Sequence, residues 1–91
     1  MSSSAQGSEI DFLTFIMSLA ASALLQMGET DGAGTVETPV DMAMAKQTIE
    51  IIAMLREKTR GNLTREEEQV IESALYDLRL KFLRRSQTAK A

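Results

Sequence analysis

The 91-residue sequence contains no cysteine, no histidine and no tryptophan, and only one proline and one tyrosine. The absence of cysteine excludes disulfide bonds and thiolate metal ligands. The absence of histidine removes the most common metal ligand and the most common general base. No glycine-rich phosphate loop is present either, since Gly28, Gly32 and Gly34 do not lead to a Gly-Lys-Ser pattern. We therefore expect no catalytic residue, no cofactor and no metal site, and we predict that the protein is not an enzyme.

The length allows one domain, and a domain of this size buries only about 60% of the surface that its unfolded chain exposes. Small domains usually need a disulfide, a metal or a partner subunit to be stable. With the first two excluded, a partner subunit is the remaining stabilising device.

Positive charge is absent from the first half of the chain. Residues 1–45 carry six acidic side chains and no lysine or arginine, whereas residues 46–91 carry all ten basic side chains and seven acidic ones. The two halves are expected to attract each other or to steer different partners. The alternative is that the charged side chains lie on a solvated surface and are clustered by chance.

The first apolar segment predicts a helix over about residues 9–27, because no glycine or proline interrupts it. Ser8 is the expected N-cap, and Gly28 is expected to end the helix in the left-handed conformation. Residues 1–8, which are small and polar, predict a disordered tail. Residues 28–38, with three glycines, predict a loop.

A second helix is predicted over about residues 39–59, with Thr38 as its N-cap and Pro39 in the first helical position. Its apolar side chains follow two adjacent stripes that predict one broad buried face. The stripes are Met42, Ala45, Ile49 and Ile52, and Met44, Thr48, Ile51 and Leu55.

The connection to a third helix, predicted over about residues 65–84, is short and has strong termination signals. Gly61 suits the left-handed end of the second helix, and Thr64 with Glu67 forms a capping box at the start of the third. A connection this short predicts that the two helices pack as an antiparallel hairpin. The fold class is therefore all-α, with the apolar first helix packed on the hairpin or on a partner subunit. The predicted domain spans residues 9–85, and residues 86–91 are predicted to be disordered.

Several short motifs of these segments form a recognisable set. The most specific is Lys58-Thr59-Arg60-Gly61-Asn62-Leu63-Thr64, and the others are Phe12, Phe15, Ser22-Ala23-Leu24, Ala45-Lys46-Gln47-Thr48-Ile49 and Leu75-Tyr76-Asp77-Leu78-Arg79. On these residues the chain resembles, over roughly residues 10–83, a small bacterial family catalogued as domain of unknown function 1844. The resemblance implies a helical fold and implies no activity.

The first helix is apolar nearly all round, so a two-helix hairpin can cover only one side of it. We predict that the other side contacts a second chain, most simply a copy in a symmetric dimer. The interface residues of this hypothesis are Phe12, Phe15, Ile16, Leu19 and Leu24. The alternative is that a three-helix fold covers the helix by itself.

The same helix has two other interpretations. Peripheral membrane association is the second, although the helix lacks the flanking lysine or arginine that such helices usually carry. A cleaved signal peptide is the third, because Ala21-Ser22-Ala23 is typical of a cleavage site. The acidic Glu9 and Asp11 argue against export and favour the cytoplasm.

The basic side chains Arg79, Lys81, Arg84 and Arg85 form a weaker candidate site for an anionic ligand, including RNA. Favourable placement at a helix C-terminus, followed by a solvated tail, is the preferred explanation of these residues. A DNA-binding helix-turn-helix is not expected, because residues 66–68 would bring three carboxylates to the phosphate backbone. The leading hypothesis is a cytoplasmic oligomerisation or protein-interaction module, as an accessory subunit of a larger assembly.

Overall fold

The computed structural model describes residues 11–29 and 40–90, with side chains described up to Gln87 in the last helix. Over these residues the fold consists of three helices: α1 (Phe12–Met27), α2 (Met42–Lys58) and α3 (Arg65–Lys90). The all-α prediction with three helices is therefore confirmed. The tail at residues 1–8, the cap Ser8, and Thr38 and Pro39 lie outside the described residues.

Both of the first two helices begin later than predicted, and each begins at an aspartate. Asp11 Oδ1 accepts a hydrogen bond from the Thr14 amide at 2.8 Å, and Asp41 Oδ1 accepts one from the Met44 amide at 3.0 Å. Aspartate is at least as good an N-cap as serine or threonine. The sequence prediction placed these aspartates inside the helices, and the structure corrects it by placing each one at the cap.

The third helix is longer than predicted, because it continues past residue 84 to Lys90. No glycine or proline stands between Arg84 and Lys90, so nothing in the local sequence ends the helix there. The predicted disordered tail at residues 86–91 is replaced by helix up to Lys90.

The predicted turns around the helix ends are confirmed. Gly28 and Gly61 both adopt positive φ, at 84° and 89°. The capping box is also formed, since the Thr64 amide donates to Glu67 Oε1 at 2.8 Å and the Glu67 amide donates to Thr64 Oγ1 at 3.1 Å. These termination signals were readable because each requires a specific residue type at a fixed offset.

The core lies where all three helices meet. Its fully or almost fully buried apolar residues are Ile16, Ala23, Met27, Ala45, Ile49, Ile52, Ile71, Leu75 and Leu78. The predicted face of α2 is only partly buried, because Met44 and Ile51 remain exposed. The buried Thr48 hydroxyl is 2.8 Å from the Gln26 side-chain oxygen and 3.1 Å from the Met44 carbonyl oxygen, and so joins α2 to α1.

The contacts between α2 and α3 are those of two helices running in opposite directions. Near the turn, Arg56 Nη1 lies 3.1 Å from Glu72 Oε1. At the other end, Lys46 and Ile49 of α2 line a groove together with Phe82 of α3. Early α2 therefore lies beside late α3.

The end of α1 is held by the other two helices. The Asp41 amide donates to the Gln26 carbonyl at 2.7 Å, and Arg85 Nε donates to the Met27 carbonyl at 3.1 Å. The last carbonyls of a helix have no partner within it, so these two donors satisfy groups that α1 leaves open. Besides these bonds at its end, α1 contacts both α2 and α3.

Candidate functional site

The predicted interface on α1 is largely covered by the protein itself. Ile16 is fully buried in the core, and Phe12, Leu19 and Leu24 are partly buried against it. Placing Ile16 on a contact surface was therefore wrong: α1 lies against both α2 and α3, so more than one side of it is covered. Of the five predicted residues, Phe15 has the most accessible side chain, with 44% exposed.

On the α3 side of α1, a groove of about 450 Å³ remains open between the two helices. Its apolar lining residues include Met17, Ala20, Leu24 and Val70. The groove is mainly apolar, and Gln69, Ser73 and Asp77 are its polar lining residues.

A second apolar surface lies on α3, on the side away from the core. Tyr76, Leu80 and Leu83 are 72%, 37% and 58% exposed. Spacings of four and three residues place them on one face of a helix. We call these three residues the α3 stripe. A shallow depression of about 340 Å³ opens beside it, and Arg56 and Glu72 lie at its rim.

Sequence reasoning missed the α3 stripe, although the signal for it was present. The more conspicuous apolar pattern of α3, at Ile71, Leu75 and Leu78, is the buried one. The i, i+4, i+7 spacing of Tyr76, Leu80 and Leu83 is a second amphipathic pattern on the opposite side of the helix.

Charged side chains lie along both edges of the α3 stripe. Arg79 lies on one edge, beside Glu72. Asp77 and Arg84 lie on the other edge, seven residues apart. Lys81 Nζ lies 2.9 Å from Asp77 Oδ2, and the Asp77 side chain is 52% exposed.

The four basic residues predicted as an anion site do not share one surface. At 100° per residue, Lys81, Arg84 and Arg85 lie within about 100° of one another on one side of α3, and Arg79 lies on another side. Lys81 pairs with Asp77, and Arg85 binds the α1 carbonyl and lies 3.9 Å from Glu29. Two of the three neighbouring basic side chains are therefore engaged within the chain.

Perturbed titratable groups lie at helix ends. The hydrogen bond from the Thr14 amide lowers the pKa of Asp11. The hydrogen bond from Arg60 lowers the pKa of Glu57, and the same contact raises the pKa of Arg60. Helix capping and a surface ion pair account for these shifts.

The described residues contain neither a metal-binding cluster nor a membrane-spanning helix. No group of three or more acidic, cysteine or histidine side chains in residues 11–29 and 40–90 is placed to bind a metal. Within the same ranges, no helix has both the length and the apolar character that crossing a bilayer requires. Lys46, which follows the buried Ala45 in α2, is exposed and lines a groove with Phe82 and Leu83 of α3.

Comparison with known proteins gives one match. A search of curated proteins and a search of solved structures returned no match. The sequence model described as Domain of unknown function (DUF1844) matches residues 9–84, which include nearly all of the three helices. The chain belongs to the DUF1844 family of domains of unknown function.

Proposed function

We propose that this protein is a helical protein-interaction module that associates with itself. The observation that carries the proposal is the α3 stripe, in which three large apolar side chains lie together on the outer face of one helix. Single exposed apolar residues are ordinary, but a contiguous set on one face is typical of a contact surface. Tyrosine is also among the residues that protein interfaces favour.

The small size of the core supports the same proposal. In the described part of the chain nine apolar residues are fully or almost fully buried, and the sequence has no cysteine to form a disulfide. A domain this small is marginally stable alone, and an interface adds buried apolar surface. Self-association would bury apolar surface that a single chain leaves exposed, and so would add stability.

Within this proposal the module is an accessory subunit of a larger cytoplasmic assembly. The support for the location is the acidic start of the first apolar segment, at Glu9 and Asp11, which is atypical of exported chains. The support for the accessory role is that the described residues present apolar contact surfaces rather than a cluster of reactive groups.

Sedimentation equilibrium over a range of protein concentrations tests the proposal. We expect masses above 10.0 kDa that approach a multiple of this value as concentration rises. A mass of 10.0 kDa at every concentration would refute self-association. Co-sedimentation with phosphatidylcholine–phosphatidylglycerol vesicles, together with a monomeric mass in solution, would support peripheral membrane binding instead.

A further inference from the structure

We infer that the α3 stripe packs antiparallel against the α3 stripe of a second copy, around a two-fold axis beside Leu80. The inference rests on the proposed function, because it names the partner and the geometry of the proposed self-association. Three features of α3 support the inference: the symmetric spacing of the α3 stripe, the accessibility of the stripe, and the charged side chains along one of its edges.

The stripe is nearly symmetric about its own centre. Leu80 lies close to the midpoint between Tyr76 and Leu83. In an antiparallel pair, Leu80 therefore faces Leu80 of the second copy, and Tyr76 faces Leu83 of the second copy. A two-fold dimer requires such a self-complementary surface, because the same residues contribute from both sides.

The α3 stripe is accessible from the side opposite the core, and Leu83 borders α2, where it lines a groove with Lys46 and Ile49. The helix is 26 residues long, which corresponds to about 39 Å. Its buried residues, including Ile71, Leu75 and Leu78, lie on the side that faces α1 and α2. A second α3 can therefore lie along the stripe without displacing either helix.

The charges on one edge of the stripe select an antiparallel copy. The midpoint between Asp77 and Arg84 also falls beside Leu80. When two identical helices pack antiparallel, the same edge of each helix meets its counterpart. Asp77 then lies opposite Arg84 of the second copy, and symmetry forms this pair twice. In a parallel arrangement this edge would instead meet the opposite edge of the second copy, so Asp77 would not face Arg84.

The charge pairs allow a test that separates contacts between chains from contacts within one chain. Asp77→Arg places arginine opposite arginine twice in a homodimer, and Arg84→Asp places aspartate opposite aspartate twice. Each variant alone should dimerise about tenfold more weakly or worse in sedimentation equilibrium at low salt. An equimolar mixture should recover dimer close to the wild-type level, because the heterodimer restores both opposite-charge pairs. A mixture no stronger than its components would overturn the proposed register.

A second set of variants tests the surface itself. Leu83→Asp should weaken the dimer by about a hundredfold or more, because a carboxylate would be buried against apolar side chains. The matched control is Met54→Asp, since Met54 is 49% exposed on α2 and lies outside the proposed surface. Its mass should equal that of the wild type. Far-UV circular dichroism should show unchanged helicity for both variants.

The outcomes distinguish this inference from the function on which it rests. A wild type that remains at 10.0 kDa refutes self-association and the inference together. A wild-type oligomer that is dissociated by Phe15→Asp but not by Leu83→Asp retains the proposed function and overturns the α3 interface. Dissociation by Leu83→Asp alone supports both.

Discussion

Gly28 is the position at which the fold should be most sensitive to a single added methyl group. Its φ is 84°, a backbone conformation that side chains with a Cβ adopt at a cost of about 1–2 kcal/mol. A Cβ there would also lie 2.7 Å from Arg85 Nη2 and 2.8 Å from Val40 Cγ2. Gly28→Ala therefore strains the backbone and pushes the guanidinium away from the end of α1.

Gly61 provides the matched comparison for that substitution. Its φ is 89°, and no atom lies within 4 Å of the position that a Cβ would take. Gly61→Ala should therefore cost only the backbone term, about 1–2 kcal/mol. Gly28→Ala should cost about 1 kcal/mol more, because displacing Arg85 removes its hydrogen bond to the Met27 carbonyl. We place the extra cost below the usual range for charged donors because 37% of the Arg85 side chain is exposed.

Urea unfolding followed by far-UV circular dichroism, at one fixed protein concentration, measures both costs. Measuring Gly28→Ala and Gly61→Ala again in an Arg85→Met background isolates the contribution of the guanidinium, because methionine keeps the apolar part of the side chain and lacks the charged group. We expect the difference between Gly28→Ala and Gly61→Ala to shrink in that background by about 1 kcal/mol. Equal costs for the two alanine variants in both backgrounds would refute the proposed role of Arg85.

Further predictions concern the core, one helix cap and the dependence on pH. Leu75→Ala should lower the free energy of unfolding by about 2–5 kcal/mol, because Leu75 is almost fully buried; a cost below that of the neighbouring exposed Tyr76→Ala in urea unfolding would contradict this. Thr64→Ala should cost about 1 kcal/mol by removing the hydroxyl that accepts from the Glu67 amide, and Thr64→Ser should retain most of that stability in thermal unfolding. The pKa of Asp11 lies below its ordinary value of 3.8. The ionised carboxylate of this N-cap therefore stabilises the fold fully above the ordinary pKa, and this stabilisation is lost as the pH falls through the lowered pKa. The stability difference between wild type and Asp11→Asn should therefore change in acid and be constant near neutral pH; a difference that stays constant down to acid pH would exclude the capping role.

The fold class and the helix ends marked by glycine or by a capping box could be predicted from the sequence. Gly28, Gly61 and the Thr64–Glu67 pair each specify a local geometry that no tertiary contact needs to complete. The starts of α1 and α2 were less predictable, because several residues before each helix are acceptable caps. At α2 the choice of Asp41 coincides with the bond from its amide to the Gln26 carbonyl, which joins segments distant in sequence.

The exposure of individual apolar side chains could not be predicted in the same way. The sequence shows that α1 is apolar nearly all round, but which side is buried depends on how α1 packs on α2 and α3. Ile16 became core and Phe15 remained accessible, although both had been assigned to one contact face. On α3, the pattern that includes Tyr76 and Leu80 was readable from spacing alone. The pattern identifies an outward face only when Ile71 and Leu75 are known to lie on the core side of the helix.

Disulfide cross-linking of single-cysteine variants tests the antiparallel α3 dimer most directly, and the natural chain has no cysteine to interfere. The measurement compares Leu80→Cys with Ser73→Cys by non-reducing electrophoresis after mild oxidation. The account predicts a cross-linked dimer for Leu80→Cys, because each Leu80 lies beside the two-fold axis and so opposite its own copy. It predicts none for Ser73→Cys, because the two copies of residue 73 would lie about 21 Å apart along the helix axes. Cross-linking at residue 73, or none at residue 80, would contradict the account.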